Sequence, residues 1–171
     1  MILLSTPSIK DFTLSQQALF NILCDCALYD PFQRKWDSHK IPRQAAIQKI
    51  IEFFLHKPET FLLLKNRAVD DCDEQVRYEA IEGLAKIPDQ FLDSESFFNF
   101  FRERVQNETF QRERNLQLNP RLAALDVLVT GYFNDPRTTE LLRDRAINDP
   151  DPQLREWAKQ QLVTQGQITE S

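Results

Sequence analysis

Apolar residues recur along this chain at spacings of three and four, the period of helices with one buried face. Leu14, Ala18, Leu19, Ile22, Leu23 and Cys26 place a first helix at about Leu14 to Leu28. Thr13 and Gln16 stand at capping-box spacing ahead of it. Ala46, Ile47, Ile50, Ile51 and Phe54 give a second helix, opened by Pro42 and closed by Lys57-Pro58. A third (about Glu59 to Val69) and a fourth (about Glu74 to Ile87) flank the turn Asp70-Asp71-Cys72-Asp73, and Pro88 stops the fourth. Phe97, Phe98, Phe101 and Val105 stripe a fifth helix, and Asn119-Pro120-Arg121 opens a sixth that carries Leu122, Leu125, Leu128 and Val129. Two stretches break the period and are predicted to be long loops: residues 29–40, YDPFQRKWDSHK, and 107–118, NETFQRERNLQL. Residues 1–12 read as a loose lead-in and Gln165 to Ser171 as a frayed tail.

The strongest internal signal is a duplication. Residues 58–84, PETFLLLKNRAVDDCDEQVRYEAIEGL, align without a gap with residues 136–162, PRTTELLRDRAINDPDPQLREWAKQQL. Pro58, Thr60, Leu63, Leu64, Arg67, Ala68, Asp71, Asp73, Gln75, Arg77, Ala80 and Leu84 each recur 78 residues later. That offset is two periods of about 39, a helical-repeat length. Arg43, Ala46 and Ile50 can be matched to Arg77, Ala80 and Leu84, and Arg121 and Ala124 to Arg77 and Ala80. The prediction is a single all-α domain over 1–171, with helix pairs at about 14–55, 58–87, 94–131 and 136–164. Asp73 and Asp151 are expected to cap the helices that follow them, each contributing about 1 kcal/mol.

The wording DDCDEQVRYEAIEGL and NDPDPQLREWAKQQL resembles HEAT repeats of the bacterial HEAT-like, phycobilisome-lyase type. LLRDRAINDPDPQLREWA is most similar to the helical region that follows the core of NACHT-type ATPases. The resemblance implies an armadillo-like, right-handed α-solenoid whose neighbouring pairs bury one another's apolar faces. It also implies a ladder between repeats, with Asp71, Asp73 and Arg77, then Asp149, Asp151 and Arg155, in the structural roles. No GxxxxGK[ST] loop is present, so no ATPase activity is carried over.

Charge and composition narrow the function. A net charge of -5 argues against a general binder of nucleic acid or anionic membrane. The 3 cysteines form an odd set with no leader-like segment, so free thiols and a cytoplasmic setting are expected. Cys24 and Cys26 lie two apart on a helix and suit no metal site, and Cys72 sits among carboxylates, a poor setting for a thiolate. Two histidines leave little acid–base chemistry near neutral pH. Neither a catalytic residue, a cofactor nor a metal is predicted.

Binding candidates lie in and beside the two loops. Arg102, Arg104, Arg112, Arg114 and Arg121 cluster around Phe110, offset by Glu103, Glu108 and Glu113. Tyr29, Phe32, Arg34 and Trp36 are residue types that anchor interfaces. The reading that follows is a non-catalytic protein–protein interaction or scaffold module, a monomer or weak homodimer, with a partner protein on its concave face or loops. The resemblance offers two further readings. An accessory subunit of a phycobilin lyase needs a pocket rich in Tyr, Trp and Arg. A nucleic-acid-binding HEAT protein of the alkylpurine-glycosylase kind needs a basic concave surface.

Overall fold

A computed structural model describes residues 15–36, 39–87 and 94–166. Within them are eight helices and no strand: α1 (Gln16–Tyr29), α2 (Pro42–Phe54), α3 (Pro58–Asp70), α4 (Glu74–Leu84), α5 (Ser94–Asn107), α6 (Pro120–Gly131), α7 (Pro136–Asn148) and α8 (Pro152–Thr164). Proline opens α2, α3, α6, α7 and α8, where the missing N–H is one that the first turn leaves unused. Asp73, Asn119, Asp135 and Asp151 stand just ahead of α4, α6, α7 and α8, and each side chain accepts a hydrogen bond from an N–H of the first turn. The N-terminal cap differs from the sequence expectation. Thr13 lies outside the described residues, and Ser15 caps α1 by accepting from the Ala18 N–H at 3.1 Å.

The helices pack in sequential pairs, α1 with α2, α3 with α4, α5 with α6 and α7 with α8. The second members α2, α4 and α6 also touch in succession, so one core runs along the molecule. Ile47, Ile50, Leu64, Ile81, Phe98, Phe101, Leu125 and Leu142 are fully buried in it. At Gly83 α4 packs tightly against α2, because a Cβ there would meet Ile51 Cδ1 at 2.5 Å.

The two duplicated helices α3 and α7 differ at one buried hydroxyl. Thr60 Oγ1 donates to Phe54 O at 2.7 Å. Thr138 Oγ1, equally buried, has no hydrogen-bond partner among the described residues. Thr60→Val is therefore expected to cost about 1 kcal/mol, because a buried hydrogen bond is lost while Phe54 O keeps the Lys57 N–H at 3.0 Å. Thr138→Val should be neutral or slightly stabilising, since it removes an unpaired polar group. Urea unfolding of the two variants side by side checks the difference.

Candidate functional site

Four connections between paired helices lie along one edge, and a repeated electrostatic pattern holds them. In each, a carboxylate accepts from the backbone N–H two residues on: Asp30 from Phe32, Asp71 from Asp73, Glu108 from Phe110 and Asp149 from Asp151, all at 2.9–3.0 Å. An arginine early in each second helix then bridges two connections. Arg43 donates Nη1 to the carbonyls of Asp30 and Phe32, both at 2.7 Å, and forms a fork onto Asp71 at 2.9 and 3.0 Å. Arg77 donates to Asp71 O at 2.8 Å and to Glu108 at 2.9 and 2.7 Å. Arg121 donates to the carbonyls of Glu108 and Phe110 and forms a fork onto Asp149 at 2.9 and 3.1 Å. Arg155 repeats only the first half, donating to Asp149 O at 2.6 Å.

The pairing differs from the one the duplicated motif suggests by itself. Asp71 is gripped by Arg43 and Asp149 by Arg121, while Arg77 reaches Glu108. The physical reason is register. Each guanidinium lies over its own connection and can extend only to the following one. Glu108 thus supplies a carboxylate from the start of the second long loop.

The two long loops are equivalent to each other. Phe32-Gln33-Arg34 recurs 78 residues later as Phe110-Gln111-Arg112. Arg34 pairs with Asp73, Nε to Oδ2 at 3.1 Å, and with Glu74. Arg112 forms a fork onto Asp151 at 2.8 Å on both arms, and Asn119 Nδ2 adds a third donor at 2.7 Å. These matched aspartates respond in opposite directions. Burial pushes the Asp151 carboxyl up, but hydrogen bonds from Arg112, Asn119 and the Gln153 N–H outweigh it and hold the group below its ordinary value. Burial also pushes Asp73 up, and there it prevails despite the Gln75 N–H, because Arg34 is shared with Glu74, whose charge adds to the rise.

Glu74 links the loops, since Arg34 of the first and Gln117 Nε2 of the second, at 3.2 Å, both reach Oε1. Together the loops wall a polar cleft of about 390 Å³ over Cys72, Asp73 and Arg77. The candidate binding residues divide accordingly. Arg34, Phe110, Arg112 and Arg121 are enclosed at the loop bases. Arg102 and Arg104 are half-buried on α5, the latter over the Phe100 ring at 5.7 Å. Arg114, Tyr29, Phe32 and Trp36 are exposed, with Trp36 at 64% and Tyr29 at 75%. Leu116, in the second loop, was not singled out by sequence and is the most exposed large apolar side chain described, at 82%.

Among the described residues, no three His, Cys, Asp or Glu side chains are placed to hold a metal ion. Cys24, Cys26 and Cys72 are free thiols, and burial pushes the first two above their ordinary value. No described helix is long and apolar enough to cross a membrane. No protein-family model, no curated protein and no solved structure matches the chain.

Proposed function

We propose that the chain is a short right-handed α-solenoid of HEAT-like repeats that acts by binding another protein rather than by catalysis. One observation carries this reading. The two long loops are clamped at their bases by buried ion pairs, yet they hold large apolar side chains out into solvent. Arg34 and Arg112 are 4% and 8% exposed at the clamps, while Trp36 and Leu116 are 64% and 82% exposed nearby in the same loops. Binding residues on loops held by a rigid scaffold keep a fixed geometry and lose little entropy on docking. Aromatic anchors on such loops are the residue type that dominates protein interfaces. The partner touches the loop edge and contacts Trp36, Leu116 and Arg114.

Site-specific photo-crosslinking in the source cells tests this. A benzophenone side chain placed at residue 36 or 116 should capture one discrete protein. The same group at Ile147, exposed on α7, should not. The Trp36→Ala change should remove the product formed from residue 116. Equal capture from all three positions, or none from either loop, would refute the loop edge as the binding surface.

A further inference from the structure

The 78-residue equivalence divides the chain into two matching halves, α1–α4 and α5–α8. They meet where α4 packs against α6. At the bridged edge of that joint Arg77 holds Glu108 at 2.9 and 2.7 Å, the two side chains 12% and 4% exposed. Ile81, one turn along α4 from Arg77 and on the same side of the helix, is fully buried. In the other layer Lys65 of α3 lies over the Phe100 ring of α5 at 5.5 Å.

The two ends of the chain carry counterparts of this joint. Arg77 recurs as Arg155 on α8, and Glu108 matches Asp30 after α1. Arg155 donates to Asp149 O and Pro150 O but forms no ion pair among the described residues. The Asp30 carboxylate accepts the Phe32 N–H at 2.9 Å and likewise holds no cation within 4 Å among them. Both residues are half-buried on the same edge of the molecule. Phe100 matches Ile22, which is 53% exposed, and Phe97 matches Leu19, 37% exposed. One end therefore shows an unheld carboxylate and an apolar patch, and the other shows the half-used guanidinium that fits the carboxylate.

We propose that a second copy of this chain docks here, the α1–α2 end of one molecule on the α7–α8 end of the next. Arg155 of one molecule then holds Asp30 of the next as Arg77 holds Glu108. The contact is head-to-tail, so a dimer still offers both ends and growth continues. It is weaker than the joint inside the chain. Ile81 is replaced by the exposed Lys159, and Val127, on the α6 side of the joint, by Lys49, 56% exposed and paired with Glu52. Two ammonium groups thus stand where the inner joint has apolar side chains, and association is reversible. Neither Trp36 nor Leu116 takes part, so this contact and the loop-edge partner can fail separately.

Sedimentation of the full chain over a range of concentrations tests the proposal. The average mass of wild type should rise with concentration and pass twice the monomer mass. Lys159→Ile should lower the concentration of half-association at least about tenfold, because an apolar side chain is buried in place of an ammonium. Two further changes are made in that background. Asp30→Asn keeps an acceptor for the Phe32 N–H and loses only the charge, so it should melt with its parent. Arg155→Met removes the guanidinium. Each should weaken self-association at least about tenfold. An equimolar mixture of the two should form a dimer and nothing larger, since only one intact pair of ends remains. A wild type of constant mass, whether or not Lys159→Ile associates, would overturn docking by the native chain. Association unchanged in Asp30→Asn, or a mixture that grows past the dimer, would overturn the head-to-tail joint.

Discussion

Arg121→Ala is expected to destabilise the protein by about 3–5 kcal/mol, lowering Tm on the order of 10 °C. Arg121 is 2% exposed and holds three groups at once: the Asp149 carboxylate, Glu108 O and Phe110 O. Truncation leaves Asp149, 1% exposed, as a buried charge whose remaining cation is Arg145, 3.6 Å away. It also strands two carbonyls to which no other hydrogen bond runs among the described residues. Arg121→Lys should recover little, because an ammonium cannot form the fork and reach both carbonyls together. Arg121→Met with Asp149→Leu should recover a substantial part, since both charges leave the interior together, but not all of it, because the carbonyls stay unpaired. Urea unfolding of the three variants checks the series. A double variant no better than Arg121→Ala would place the cost in the carbonyls rather than in the ion pair.

Asp151→Ala is expected to cost about as much, again 3–5 kcal/mol, while its counterpart Asp73→Ala costs only about 1–2 kcal/mol. The two aspartates occupy the same place in the duplicated motif and cap equivalent helices. They differ in what they leave behind. Without Asp151, the Arg112 guanidinium is buried with no carboxylate, and Asn119 Nδ2 loses its acceptor. Without Asp73, Arg34 keeps Glu74. The pH dependence follows from the lowered Asp151 value. A depressed carboxyl adds stability above its unfolded pKa and loses it as pH falls through the folded one. The gap between wild type and Asp151→Asn should therefore be full at pH 7 and close between about pH 4 and pH 2. Chemical unfolding at a few pH values measures it. Hydrogen exchange should also show residues 108–118 opening first in Asp151→Ala, because their clamp is gone.

The helices were legible in the sequence because each carries an apolar face, an opening proline or a capping side chain, all local signals. The turn motif of α3–α4 and α7–α8 was legible because twelve residues repeat at one offset. What hid the rest was the length of the true unit. Asp30, Phe32, Arg34 and Arg43 match Glu108, Phe110, Arg112 and Arg121 at the same 78-residue offset, so the equivalence covers both loops. The shared Phe-Gln-Arg was in plain view as the signal. With the loops considered one at a time, Arg112 and Arg121 stand in the sequence as binding candidates interleaved with glutamates, and nothing local assigns them the aspartates they hold. Only packing reveals that a charged side chain faces inward, since polarity alone marks a residue as solvated.

The arginine bridges also give the molecule a stiff margin and a compliant one. Three forks, at Asp71, Glu108 and Asp149, tie successive connections on a single side through groups shielded from water. Across the body, Arg137 ties α7 to Glu95 of α5, but with its side chain 37% exposed and the glutamate 58% exposed. A bending load is therefore resisted along the bridged edge and absorbed opposite it, where exposed pairs exchange with solvent at little cost. The body flexes like a bound book: the spine keeps its length, and the free edges of the pages fan apart.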